Sequence, residues 1–331
     1  MKRIIYHTTL SILVIMAVTG CQNSKTWRQI EGVTWNTTYH IVYHSDRDLS
    51  DSVRQVMRDI ETSLSPFDPN SNLSAINSNL TSSADPTVAA VFAESQRVAR
   101  LSGGLFDPTV APLINLWGFG YRDSSPGSIP TTAQIDSAMQ LVGISECSIS
   151  ADGTVTKKHP DTEFNFSSIT KGYGCDAIGR MLERNGCNSY MIEIGGEIAL
   201  NGHNPHGRDW RIMIDTPVDN DSTITHSPMS IINLTGCGVA TSGNYRNFRQ
   251  TSIGKTSHTI DPLTGQPITL EGRDSMIVSA TVIAPTAMTA DALATACMIM
   301  SPSKALEMVD NEPTASALLA VCVKGDSLLQ I

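Results

Sequence analysis

Asp291 and Thr295 lie four residues apart in Thr286-Ala287-Met288-Thr289-Ala290-Asp291-Ala292-Leu293-Ala294-Thr295-Ala296, where alanines dominate and Thr289 can cap a helix. That spacing puts a carboxylate and a hydroxyl on one helix face. In small, apolar surroundings they make part of the oxygen shell of a hard cation such as Mg²⁺, which draws the rest from water and substrate phosphates. The same residues also fit a structural role, with Asp291 complementing the helix dipole and Thr295 bonding back to a carbonyl. A second reactive pair is His258 and Asp261 in Ser257-His258-Thr259-Ile260-Asp261-Pro262-Leu263-Thr264-Gly265-Gln266-Pro267, a tight reversal in which both can face one cavity. A histidine three residues from an aspartate can transfer protons near neutral pH, although a loop histidine is often merely solvated. The third feature is Asn165-Phe166-Ser167-Ser168-Ile169-Thr170-Lys171-Gly172-Tyr173-Gly174-Cys175-Asp176. A small-residue turn with a lysine ahead of a helix offers N–H groups and positive charge to a phosphate. The GxxxxGK[ST] spacing of a P-loop is absent.

These groups have to be positioned by regular elements, and hydrophobic periodicity predicts many. Trp35 to Tyr43 alternates as a strand, and Leu49–Leu64 and Pro86–Leu101 carry helical spacing, the latter stopped by Gly103-Gly104. Between them Phe67, held by Pro66 and Pro69, is either a stacking platform for a flat ligand or a plug pinning its loop. In Leu105-Phe106-Asp107-Pro108, Asp107 can cap a helix with Pro108 at its first position. The 117–130 passage reads as an exposed loop, 131–142 as a short helix, and 148–159 as a hairpin turning at Asp152-Gly153. A helix from the lysine-bearing turn runs to Arg184, and a strand follows from Tyr190 to Ile194. Gly195-Gly196 then marks a bulge or a place where a ligand approaches the backbone. Residues 208–214, 229–234, 276–284 and 315–323 read as strands, 238–245 as a small-residue turn, and 303–309 as a helix.

The chain has 331 residues, 40% hydrophobic and 17% charged, enough to bury a large core in one large domain or two closely joined ones. A net charge of −9 argues against nucleic acid or an anionic membrane face as the main partner. Lys2 and Arg3 precede an apolar run, Leu10 to Val18, that is too short to span a bilayer and reads as an export signal. It ends in Val18-Thr19-Gly20-Cys21, similar to the lipobox of bacterial lipoproteins, which makes Cys21 the expected lipidation site after removal of residues 1–20. Residues 21–28 are then expected to be a lipidated cysteine and tether, and 29–331 the folded domain. The other six cysteines include no CxxC pair, and Cys175 and Cys297 sit in small apolar contexts suited to buried thiols.

Taken in order, these motifs resemble the FAD:protein FMN transferases, the ApbE family, over nearly all of the chain after the tether. The most specific pieces are Ser257 to Gly265 and Ala290 to Ala296. The resemblance implies an α+β, T-fold-like domain of mixed, largely antiparallel sheets flanked by helices, with a ligand cleft between two lobes. It implies a Mg²⁺-dependent enzyme that cleaves FAD, transfers FMN to a threonine or serine hydroxyl of a target flavoprotein, and releases AMP. The metal is expected on the Thr170 carbonyl, Asp291 and Thr295. FAD is expected against Trp35, Phe67, Leu105, Phe106, Asp107, Ser167, Lys171, Tyr173, Gly195 and Gly196, and His258, with Asp261, is expected to take the acceptor proton. The implied acceptors are subunits of membrane redox complexes such as Na⁺-translocating NADH:quinone reductase or the RNF type, outside the cytoplasmic membrane. The chain departs from the commoner pattern at Trp35, Asn165, Ser167, Ser168 and Glu193. The rival readings are a Mg²⁺-dependent FAD pyrophosphatase, with water in place of the acceptor, and a non-catalytic flavin-binding lipoprotein.

Overall fold

The computed structural model describes residues 25–120, 129–217, 227–244, 248–251, 254–269, 275–323 and 327–331. Cys21 and the leader lie outside them, as does part of the 117–130 loop.

Eight strands form one antiparallel sheet. In spatial order they are β1 (Thr26–Thr34), β2 (Thr37–Ser45), β5 (Tyr190–Ile194), β6 (Glu197–Asn201), β9 (Cys237–Gly243), β13 (Ser275–Ala284), β14 (Ser316–Val323) and β15 (Ser327–Gln330). Three small sheets flank it: β3 (Ser148–Ile149) with β4 (Val155–Thr156), β7 (Trp210–Asp215) with β8 (Pro228–Leu234), and β10 (Phe248–Thr251), β11 (Gly254–Ile260) and β12 (Pro267–Thr269). The helices are α1 (Ser50–Leu64), α2 (Asn72–Asn77), α3 (Pro86–Leu101), α4 (Ala111–Leu116), α5 (Thr132–Met139), α6 (Thr170–Arg184), α7 (Ala287–Cys297) and α8 (Pro302–Asp310).

Alternation explains the strand faces. In β2, Tyr39, Ile41 and Tyr43 point inward and pack with Val53 and Met57 of α1 and Ile178 and Leu182 of α6. The central strand β13 is buried almost throughout, because helices cover one face while Trp210 and Ile212 belong to the cluster around Leu200 and Val239 on the other.

Helix α7 is buried nearly all round, which is why its side chains are small. It lies backbone to backbone against two neighbours: a methyl group at Gly172 of α6 or at Gly238 of β9 would run into the main chain of Ala287. Gly172→Ala and Gly238→Ala are each expected to cost about 1–3 kcal/mol by overpacking, read as a lower urea midpoint. Thr286 caps this helix, accepting the Thr289 N–H at 3.1 Å, whereas Thr289 donates its hydroxyl to Glu94 of α3 at 2.7 Å. The cap therefore sits three residues earlier than the sequence predicts.

Four other expectations are revised. The first strand begins at Thr26, within the stretch read as a tether, and pairs along its whole length with β2. Trp35 opens no strand: with Asn36 it forms the β1–β2 turn, both at positive φ (47° and 60°). Residues 238–243 form part of β9, where small side chains serve close packing under α7 and not a turn. Gly195-Gly196 is the two-residue turn joining β5 to β6, at φ 62° and 99°, so of the two readings offered for the pair the bulge does not hold, while Gly195 does line the cleft.

Candidate active site

A cleft of about 380 Å³ opens between the α6–α7–β9 layer and a smaller lobe built from α4, α5 and the β11–β12 hairpin around Leu113, Trp117 and Ile260. Its floor is the α7 face that carries Asp291 and Thr295. Asp291 is 2% exposed, and its Oδ2 accepts the N–H of Gly172 at 3.0 Å, so the carboxylate ties α7 to the first turn of α6. Thr295 Oγ1 lies 3.4 Å from the Ser242 hydroxyl of β9. Lys171 lies against this floor, with its Nζ 3.4 Å from Glu197 Oε2.

The electrostatics are those of a charged cluster in a poor dielectric. Burial raises the Asp291 carboxyl above the usual carboxylate range, opposed by Lys171 and the Gly172 N–H. Burial and the neighbouring Asp291 push Glu197 well up. Desolvation works against the Lys171 ammonium, but Asp291 and Glu197 outweigh it and hold its pKa above that of a free lysine. Two acids thus share one cation, and the cluster has room for a further positive charge.

The oxygen donors suit a hard divalent ion that completes its shell with water and phosphate. Among the described residues no group of three His, Cys, Asp or Glu side chains can hold a metal unaided.

The walls come from two loops and a bulged strand. Leu105, Phe106, Asp107 and Pro108 form one side. Asp107 starts no helix, since α4 begins only at Ala111. Its Oδ1 instead accepts the N–H and hydroxyl of Thr109 at 2.8 and 2.6 Å, and its Oδ2 accepts the Ile144 N–H at 3.0 Å, which fixes the loop. Asn165, Ser167 and Ser168 form the mouth above α6, with Asn165 Oδ1 accepting the N–H and hydroxyl of Ser167. On the far side, register shifts between Thr256 and Ile260, so that His258, Thr259 and Ile260 all line the cleft despite strand alternation.

Of the predicted site residues, Leu105, Phe106, Asp107, Ser167, Lys171, Gly195, His258, Asp291 and Thr295 line the cleft. The others sit elsewhere. Thr170 lies within the first turn of α6, where its hydroxyl donates to the Phe166 carbonyl at 2.8 Å; Ser168 is the neighbour that lines the cleft. Asp261 accepts the Leu263 N–H at 2.8 Å, serving the reversal. Phe67 is 70% exposed on its loop, and Tyr173 lies under the Arg180 guanidinium, 5.4 Å from the ring centroid. The Trp35 ring packs on Gly174, where even a methyl group would come within 2.6 Å, and this contact accompanies its unusual positive φ. Gly196 is exposed at the turn, where its N–H donates to Glu193 at 2.7 Å. Sequence reasoning passed over Glu197, Ser242, Asn244 and Thr259 as site residues; the turn glycines before Glu197 and the Ser257–Thr259 motif were the signals available.

A further carboxylate holds the floor in place. Asp176 of α6 accepts the N–H groups of Ala287 and Met288, both at 2.9 Å, and so caps α7 from a neighbouring helix. Burial pushes this carboxyl up to about 6, from an ordinary value of 3.8. Between those values the folded protein holds a proton that the unfolded chain has released, so this group's contribution to stability falls as pH rises through the window. Urea midpoints of the wild type measured from pH 6.5 down to 4.5 are expected to gain relative to Asp176→Asn, which lacks the titration.

This fold and cleft place the chain among the flavin transferases. It belongs to the ApbE family, whose model matches residues 35–319. It is 32% identical to the FAD:protein FMN transferase of Haemophilus influenzae over 96% of this chain and 93% of that one. The structure of flavin transferase ApbE from Vibrio cholerae superposes with a TM-score of 0.80 at 32% identity, covering 93% of this chain and 97% of the other. The flavinyl transferase ApbE of Pseudomonas stutzeri, in its apo form, gives 0.80 at 29% identity, covering 93% and 94%. The chain is an enzyme of flavin transfer, with largely antiparallel sheets flanked by helices as the sequence predicts.

Proposed function

We propose that the protein transfers FMN from FAD to a threonine or serine hydroxyl of a target flavoprotein in a Mg²⁺-dependent reaction that releases AMP. The observation that carries this reading is the buried Asp291 beside Lys171, next to the Ser242 and Thr295 hydroxyls, in the cleft that His258 also lines. Asp291, Thr295 and the Thr170 main-chain carbonyl would hold the ion, in the cleft that Ser168 also lines. When bound, Mg²⁺ supplies charge neutralisation at the pyrophosphate.

The chain's own residues do the rest. Phosphoryl transfer depends chiefly on positioning and electrostatics. Lys171 adds a fixed positive charge beside the phosphates, and Leu105, Phe106 and Ile260 give the flavin an apolar wall. His258 takes the proton from the attacking hydroxyl. Asp261 Oδ1 accepts the Leu263 N–H, so this carboxylate shapes the reversal that follows His258.

Purified protein incubated with FAD, Mg²⁺ and candidate acceptor proteins tests the reading, with the acceptors weighed by intact mass spectrometry. The expected result is an acceptor heavier by one FMN group, with one AMP released per adduct. AMP released equally well without acceptor would favour the pyrophosphatase instead. Flavoprotein subunits of sodium-pumping or RNF-type redox complexes are the acceptors to try first.

The export signal and the Cys21 context support a lipid-anchored enzyme facing the periplasm or the outer side of the cytoplasmic membrane. Among the described residues no helix is long and apolar enough to cross a membrane. Cys21→Ala is therefore expected to move the protein from the membrane fraction to the soluble one, as fractionation and immunoblotting would read.

A further inference from the structure

Asn244 immediately follows β9 and is 5% exposed, yet it lines the cleft. Its main-chain N–H donates to the Val278 carbonyl at 3.1 Å, which holds its backbone to the large sheet. Its Oδ1 accepts the Ser257 hydroxyl at 2.6 Å and the Thr259 hydroxyl at 2.8 Å. Ser257 Oγ also accepts the Thr259 N–H at 3.0 Å, so its own hydrogen is left for Asn244. With both hydroxyls donating to Oδ1, the NH₂ group is directed away from them. Nδ2 is buried and has no hydrogen-bond partner among the described residues. A buried donor without a partner is costly, and proteins keep few of them without a reason.

The surroundings say what its partner is. Two residues before Asn244, Ser242 touches Thr295 on the floor; the two hydroxyls that grip Asn244 flank His258. The amide therefore stands between the oxygen donors that suit the cation and the proposed base, where the anionic part of a nucleotide passes. A neutral donor there suits a phosphate oxygen, since it adds no further charge to a site already holding Lys171, Asp291 and Glu197.

We propose that Asn244 is a binding residue whose Nδ2 donates a hydrogen bond to a phosphate oxygen of the bound dinucleotide, while its Oδ1 clamps the His258 strand to the large sheet. This rests on the reading of the cleft as the FAD site. Asn244→Asp separates the two roles: it keeps an oxygen for Ser257 and Thr259 but turns the donor into a negatively charged acceptor. Asn244→Ala removes both.

FAD affinity of the purified protein, measured by flavin fluorescence at saturating Mg²⁺ without acceptor, is expected to fall in the order wild type, Ala, Asp. The Asp variant should bind at least tenfold more weakly than wild type, with its melting temperature at or above that of the Ala variant. An Asp variant that binds FAD within threefold of wild type, or more tightly than the Ala variant, would overturn the proposal. If the Ala variant does not fold, the comparison of Asp with wild type decides. Failure of the wild type itself to bind FAD would instead count against the reading of the cleft.

Discussion

Replacing Asp291 by asparagine is expected to lower flavin transfer roughly 10³-fold, because losing a metal clamp on transferring phosphate forfeits several kcal/mol at about 1.4 kcal/mol per tenfold. Asparagine is the informative substitution. Its carbonyl oxygen can still accept the Gly172 N–H that Asp291 takes at 3.0 Å, so α7 stays tied to α6. Alanine would leave that donor unpaired and confuse a folding defect with a catalytic one. The asparagine variant should melt close to wild type and should respond to added Mg²⁺ weakly or not at all. A variant retaining wild-type rates and metal response would show that the carboxylate only fastens the two helices.

His258→Ala is the second large effect. General-base assistance is worth about 10² to 10⁴ in rate, and the transfer rate should fall by that amount while FAD affinity stays near wild type. The separation is expected because Leu105 and Phe106 of the flavin wall and the whole cation floor lie on other elements, the 105–108 loop, α6 and α7, and only Ile260 shares the His258 strand. Single-turnover transfer at saturating FAD, with affinity measured separately, reads the two quantities apart. Unchanged transfer would remove His258 from the reaction, and an equal loss of affinity would make it a binding group.

What the sequence disclosed followed from how far each signal reaches. Asp291 and Thr295 were legible because four-residue spacing on a helix fixes a shared face, and the helix is real. His258 was legible as a motif, but its access to the cleft depends on the register shift between Thr256 and Ile260, which no local pattern encodes. The strand β9 was misread because glycine, alanine, threonine and serine there look like turn residues; their smallness answers to the backbone of α7, a contact made across the fold. The same limit hid Asp107's role, since a carboxylate before a proline suggests a cap, while its Ile144 partner lies 37 residues away. The family resemblance implies FAD contacts for Trp35, Phe67 and Tyr173, yet packing on Gly174, exposure and the Arg180 contact put these rings outside the cleft lining. Asn244 carried no spacing signal, because its partners come from another strand.

The most direct measurement follows FMN transfer to an acceptor protein by intact mass, first in EDTA and then after excess Mg²⁺ is added to the same reaction. No adduct in chelator and rapid adduct formation on adding the ion is the expected result. An adduct that accumulates at full rate in EDTA would contradict a cleft organised around a cation held by Asp291 and Thr295.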